Sequence, residues 1–453
     1  MTEDLYDPEQ ARAYVQRFGD AGEDVALRVY TSRLLGRDRS LVLHGGGNTS
    51  VKTVRRDLLG RDVSVLCVKG SGWDLADIEP PGLPAVRLDV LRELRQLDTL
   101  SDRDMVSAVR GALLDSEAPN PSVEALLHAF LPHAFVDHTH ADAILTLTDQ
   151  PDAERHVRAA LGDDVLLLPW IMPGFPLAKA VAEAYEQRPE CLGIVLAKHG
   201  LFTFGDTAEQ SYRRTIELVQ RARAYLHREL GSTPPMLVGE PAPLSPAQRD
   251  EALAELLPAL RGACARRSAD DGSRPGGRQP VVAAVCTDDD LAAFGAHPRA
   301  RALCQRNPIT PDHVIRTKGH YLHLAEEDWR NPDRIRRRVG EYEVAYRRYY
   351  EASCRRISPD HMHAPQPIVA VLAGIGLVAL HPERRGARIA ADIAAQTLRV
   401  KAAADALGDY AALSDDELAE MEYWPLELAK LGKRELPAAC GQVALVTGAA
   451  GAI

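Results

Sequence analysis

The chain has 453 residues, 45% hydrophobic and 26% charged, which suffices for two or three domains and is too apolar for wholesale disorder. With 64 acidic against 54 basic residues the net charge is −10, and the arginines are interleaved with acids, so no nucleic-acid partner is expected. Seven scattered cysteines without a CxxC pair exclude a disulfide framework and a thiolate zinc site. The polar start MTEDLYDPEQ and the lack of any apolar run near about 18 residues point to a soluble cytoplasmic protein without signal sequence or membrane contact.

Residues 21–36 carry helical spacing and are expected to close on Gly36 as a C-terminal cap. LVLHGGGNTSVKTV reads as strand, glycine turn and strand. A strand over 63–68 then enters Gly70, Ser71 and Gly72. Helices are expected over 85–97 and 101–114, and SVEALLHAFLP starts another with Ser122 as N-cap. FVDHTHADAILTLT predicts a strand and a short helix, VLLLPW a strand, and LAKAVAEAYEQR a helix. GIVLAKHGLFTFG predicts strand, turn and strand, and 206–230 a long amphipathic helix. This alternation is α/β, with a mixed or antiparallel sheet under helical cover.

A first domain is therefore expected over 1–230, and a proline-rich linker over 231–245. A second α/β region over 246–430 contains a surface loop at 268–280. VLAKHGLFTFGDTAEQS at 195–211 aligns with VLAGIGLVALHPERRGA at 371–387, with Gly374 and Ile375 standing where the first copy has Lys198 and His199. That pattern is a degenerate duplicate acting as scaffold, and an unrelated helical linker domain fits it nearly as well. Residues 431–453 are expected to be a linker leading into a strand and glycine turn, QVALVTGAAGAI.

His138 and His140 form an H-x-H in a strand-like segment, where period-two geometry puts both imidazoles on one face. Alone, the pair is also the pattern of two satisfied core or surface histidines. His199 follows a strand end and precedes glycine, and Glu124 lies fourteen residues before His138. Three imidazoles and a carboxylate from separate elements make a candidate zinc or similar divalent site with an acid/base beside it. HGGGNTS and KGSG add backbone N–H groups and hydroxyls suited to phosphate, although such turns are common without a ligand. His361 and His363 form a second H-x-H in a proline-rich segment and are expected on a surface loop without metal. TPDHVIRTKG at 310–319 reads as polar and strand-like; anion binding and a structural role are equally open there.

The ordered set GGGNTSVK, KGSGWDL, PSVEALLH, VDHTHAD and AKHGLFTFG resembles the class II aldolase/adducin family over about residues 20–230. More closely, the chain is similar to bifunctional aldolase/short-chain dehydrogenase proteins, some of which join a rhamnulose-1-phosphate aldolase to a lactaldehyde dehydrogenase. This likeness runs through EYWPLELAKL at 422–431 to a truncated dehydrogenase start, so neither NAD nor dehydrogenase activity is expected of the chain. The resemblance implies one divalent metal, with zinc expected, on His138, His140 and His199, and Glu124 as general acid/base. It implies phosphate contacts at Asn48, Ser71, Gly72 and Ser122. Val123 stands where relatives often have a second hydroxyl, with Lys69 as a candidate helper. The implied reaction splits a ketose 1-phosphate, rhamnulose 1-phosphate foremost, into dihydroxyacetone phosphate and lactaldehyde. Sugar-phosphate epimerisation at the same site and a non-catalytic adducin-head interaction domain are the alternatives. The resemblance also implies a small-molecule sugar phosphate as partner and a homo-oligomer, a tetramer.

Overall fold

Seven strands build one sheet: β1 (Asn48–Arg56), β2 (Asp62–Val68), β3 (Ala85–Arg87), β4 (Phe135–Thr139), β5 (Val165–Leu168), β6 (Gly193–Leu196) and β7 (Gly200–Gly205). They lie in the order β3-β2-β1-β4-β7-β6-β5, antiparallel throughout except for β5 and β6. The computed structural model describes residues 3–231, 244–267, 278–432, 437 and 439–444. Alternate residues feed two cores, as a sheet covered on both faces requires. Val65, Cys67 and Phe135 pack with α1 (Glu23–Arg37) and the long helix α4 (Ala208–Leu230). Leu66, Val68 and Val136 pack with α2 (Ala125–Phe130) and α3 (Phe175–Gln187). The central strand β4 is buried along its whole length.

Several local expectations are corrected. Helix α1 runs on to Arg37 and is closed by Asp38, so Gly36 is not its cap. A Cβ at Gly36 would stand 2.2 Å from the Ala76 backbone nitrogen, so glycine is there to let the Leu75–Ala76 segment pass. Residues 41–47 form turns and loop rather than a strand. The stretch 85–97 splits into β3, which pairs with β2, and the helix Leu88–Glu93. Ser122 does not cap α2; Glu124 holds that position, and the Ser122 hydroxyl accepts the Glu124 N–H at 3.3 Å.

The second region builds a four-stranded sheet from β8 (Val282–Cys286), β9 (Leu322–Leu324), β10 (Val369–Leu372) and β11 (Gly376–His381), in the order β8-β11-β10-β9. The helix α5 (Arg384–Leu407) follows β11 as α4 follows β7. The two strand–turn–strand units share their turn. Lys198 and Gly374 both adopt left-handed backbone, with φ of 59° and 77°. His199 N–H donates to Leu196 O, and Ile375 N–H to Leu372 O, each at 3.1 Å. Ile375 is fully buried in the second core. Residues 310–319 are not a strand; they form the short helical turns Pro311–His313 and Val314–Thr317. Most of the expected linker, residues 268–277 of the expected loop and 445–453 of the expected dehydrogenase strand lie outside the described residues.

Direct hydrogen bonds join the two halves. Gln396 Nε2 donates to Asp142 Oδ1 at 2.6 Å, Lys198 Nζ to Ala412 O at 3.0 Å and Gln150 Nε2 to Ala404 O at 2.7 Å. Among the described residues no helix is long and apolar enough to cross a membrane.

Candidate active site

The alternation of β4 puts His138, near its C-terminal end, and His140, just beyond it, on one face. Their Nε2 atoms are 3.0 Å apart. His138 is stacked on Phe202 of the neighbouring strand, centroids 4.0 Å apart, which fixes its ring plane. The β6–β7 turn delivers His199, whose ring centroid is 5.0 Å from that of His138 and 5.5 Å from that of His140. One ring nitrogen from each of the three lies within 4.8 Å of the others. The turn closes this tightly because Gly200 has no side chain: a Cβ there would stand 2.4 Å from Thr139 O and 3.0 Å from the rings of both His138 and His140.

Glu124 enters from the head of α2 and is 7% exposed. Its Oε2 lies 3.6 Å from His138 Nε2 and its Oε1 3.6 Å from His199 Nε2. Asn48, directly across from His138 in the β1–β4 register, donates its Nδ2 to Glu124 Oε2 at 2.6 Å. The orientation of that amide is set in turn by His128, whose Nε2 bonds Asn48 Oδ1 at 2.5 Å and whose Nδ1 meets Ser50 Oγ at 2.8 Å. Both ends of the Asn48 amide are thus engaged within the protein, and Asn48 lines the same cavity as Glu124 and Ser122.

The charge states follow from burial. Desolvation pushes the Glu124 carboxyl up, but the imidazoles of His138, His199 and His128 and the Asn48 amide outweigh it and bring it down to about 2. Burial lowers His138 to about 4 and His128 to about 3 despite the pull of Glu124, and lowers His140 well below its ordinary value. At neutral pH Glu124 is therefore an ionised carboxylate, and His138, His140 and His128 are neutral, the protonation state in which carboxylates and imidazoles ligate metal. Two polar atoms, Glu124 Oε1 and His199 Nδ1, are buried without a hydrogen-bond partner among the described residues. Unsatisfied polar atoms inside a tight three-nitrogen cluster fit a divalent cation.

The second region completes this centre, and the sequence reading missed it. Asp312 Oδ2 lies 3.4 Å from His140 Nδ1, leaving the Nε2 edge of that ring turned to the cluster. His138 Nδ1 is held in the same way by Leu201 O at 3.2 Å. Thr310 Oγ1 donates to His199 O at 3.1 Å and to Asp312 Oδ1 at 3.3 Å. A carboxylate or carbonyl behind an imidazole is the usual way a metal-binding histidine is oriented. The polar string at 310–319 was the available signal, but more than 100 residues separate it from the histidines it serves.

The glycine loop is stitched to the Glu124 segment. Ser71 N–H donates to Asn120 O at 2.7 Å and Ser122 N–H to Lys69 O at 3.0 Å. Ser71, Gly72 and Ser122 consequently line the same cavity of about 690 Å³ as Glu124, His140 and His199. Lys69 is fixed beneath the first glycine loop by donating to Gly45 O and Gly47 O, and burial lowers its ammonium to about 8. His361 and His363 line the cavity too, with ring centroids 5.6 Å apart. His363 stacks on Tyr423, and neither belongs to the three-histidine cluster.

The family "Class II Aldolase and Adducin N-terminal domain" matches residues 26–226, and "Aldolase class II, second domain" matches 251–431. A Bacillus subtilis (strain 168) relative described as the uncharacterized oxidoreductase YuxG is 32% identical over 448 residues. The match covers 97% of this chain and 63% of that relative, so the chain spans less than two thirds of its length. Among solved structures, the N-terminal class II aldolase domain of a Thermoplasma acidophilum protein is 46% identical, covering 45% of this chain and 93% of that one, with a TM-score of 0.43. L-fuculose-1-phosphate aldolase from Thermus thermophilus is 21% identical, covering 46% of this chain and 98% of that one, with a TM-score of 0.31. The histidine cluster and its glycine loops thus lie in a chain that belongs to the class II aldolase/adducin family, an N-terminal domain of that family followed by a second.

Proposed function

We propose that the chain is a metal-dependent aldehyde-lyase that cleaves a ketose 1-phosphate, rhamnulose 1-phosphate first among candidates, into dihydroxyacetone phosphate and an aldehyde. One observation carries this reading: three imidazole nitrogens within 4.8 Å of one another beside a buried carboxylate held ionised. A divalent cation, zinc first, held by His138, His140 and His199 would supply Lewis acidity toward the ketone and adjacent hydroxyl oxygens.

The remaining work falls to the chain's own groups. Glu124 Oε1, which accepts no hydrogen bond from the described residues, takes the proton from carbon or returns it, while Asn48 anchors Oε2. His128 keeps the donor end of the Asn48 amide turned toward that carboxylate. The phosphate is received by the hydroxyls of Ser71 and Ser122, whose N–H groups are already engaged, and by the backbone N–H of Gly72. The neutral imidazoles of His138 and His140 need no deprotonation before they can ligate. The small-molecule partner and a homo-oligomeric state follow from the same reading.

The test is a coupled assay for dihydroxyacetone phosphate with metal-replete protein and a panel of ketose 1-phosphates. Release from at least one of them is expected. No release from any, with metal bound, would remove the aldolase reading.

A further inference from the structure

The cavity around the histidines is walled on one side by the second region, and that wall carries a surplus of positive charge. Arg316 sits on the Val314–Thr317 turn and lines the cavity half-buried. Its guanidinium makes no hydrogen bond or ion pair with any described residue, and the charges it feels are Glu427, Arg385 and Asp312, in that order. Asp312 is already committed, and Glu427 holds Lys430 through one oxygen while its Oε1 is buried without a hydrogen-bond partner among the described residues. Glu427 Oε2 pairs with Lys430 Nζ at 2.8 Å, while Asp312 faces His140 and accepts from Thr310. Arg385, in the first turn of α5, lines the same cavity, is exposed, and likewise pairs with no described residue.

An arginine presents five donors in a rigid fork, and its usual partner in a concave site is a carboxylate or phosphate bound through two of them. Here two forks repel one another across a shared cavity, and burial together with Arg385 lowers the proton affinity of Arg316. An oxyanion between them removes the repulsion and satisfies the donors. Among the described residues no carboxylate pairs with Arg316: moving Asp312 onto it would strip His140 of its partner, and Glu427, whose Oε2 holds Lys430, does not come within ion-pair distance.

We propose that Arg316, with Arg385 beside it, binds an oxyanion of the substrate from the second-domain side of the cleft. This is a second phosphate or a carboxylate in addition to the phosphate received by Ser71, Ser122 and Gly72, which would favour an acidic sugar phosphate over rhamnulose 1-phosphate itself. This rests on the cleft being the substrate site, and it gives the second domain a part in recognition rather than scaffolding alone. Arg316 would then be a specificity residue that grips a substituent distant from the proton transfer at Glu124.

The test uses the full chain and the variants Arg316→Gln, Arg316→Lys and Arg385→Gln. Inorganic phosphate and acetate are titrated into each by calorimetry, and KM and kcat are measured on any substrate found. Loss of charge-assisted hydrogen bonds predicts a roughly 10- to 100-fold weaker oxyanion affinity in Arg316→Gln. KM should rise by a similar factor while kcat stays within about threefold, and Arg316→Lys should recover part of the loss. A preference for phosphate or for acetate identifies which oxyanion the substrate carries. Arg385 is exposed, so its variant decides the matter if Arg316→Gln does not fold. Phosphate and acetate affinities unchanged in both glutamine variants would overturn the proposal. Oxyanion binding lost in Arg316→Gln without turnover of any ketose phosphate would keep the anion site and discard the aldolase reading. Turnover with KM and oxyanion affinity indifferent to both arginines would do the reverse.

Discussion

Replacing Glu124 with Gln separates chemistry from architecture. The amide has the shape of the carboxylate, and its oxygen can still accept the Asn48 Nδ2 hydrogen bond that now spans 2.6 Å. Exchanging a charge-assisted bond for a neutral one costs on the order of 1 kcal/mol, and removing a buried charge returns part of that through lower desolvation. Folding stability should therefore change little. The three histidine nitrogens, within 4.8 Å of one another, are untouched, so metal content should largely survive. What disappears is the base: a glutamine in the place of the carboxylate held at about 2 cannot take up a proton. Removing a positioned acid/base typically costs about two to four orders of magnitude in rate, roughly 3–5.5 kcal/mol of transition-state stabilisation. The assay is kcat for dihydroxyacetone phosphate release, alongside elemental analysis and a thermal melt on the same preparation. Turnover within about threefold of the wild type, with metal and melting temperature unchanged, would refute a proton-transfer role for Glu124.

Other perturbations probe the same centre. Asp312→Asn removes the charge behind His140 and should weaken metal binding by about 10- to 100-fold in a competition titration against a chelating dye. An unchanged affinity would contradict the orienting role. Gly200→Ala places a methyl 2.4 Å from Thr139 O and 3.0 Å from two histidine rings, and should cost about 1–3 kcal/mol in denaturant unfolding together with metal affinity. A variant that binds metal normally would show that the turn has room to spare. For metal-free protein, His128 and His138 fall from an ordinary 6.5 to about 3 and about 4, so the unfolded chain binds more protons across that window. Their contribution is present above pH 6.5 and lost as pH falls toward the folded values, with Glu124 adding to the loss between about 4.5 and 2. Melting temperature should decline steadily below about pH 6.5, and a flat profile down to about pH 4 would count against buried neutral imidazoles.

What could be read from the sequence was mostly local. His138 and His140 are two residues apart on a strand, so their shared face follows from backbone geometry alone. The position of His199 before glycine in a tight turn was visible for the same reason. Glu124 and the glycine loops became legible through the order of five motifs rather than through spacing. The unread part depends on contacts across the chain. Nothing adjacent to Asp312 announces that it lies behind His140, and nothing near Asn48 shows that His128 and Glu124 hold both ends of its amide. Gly36 was misread because a glycine near a helix end is usually a cap, whereas here close passage of the Leu75–Ala76 segment requires it. The short match at 195–211 and 371–387 understated the likeness of the two units, which share a left-handed turn residue and the same closing hydrogen bond.

The most direct measurement of the central claim is removal and restoration of metal. Protein stripped with a chelator and then titrated with zinc or another divalent cation is assayed for dihydroxyacetone phosphate release, beside a His140→Ala variant treated identically. Activity should vanish on stripping, return at one equivalent of metal per chain and fail to return in the variant. Full activity in the stripped protein, or restoration in His140→Ala with the same stoichiometry, would contradict a metal centre built on these histidines.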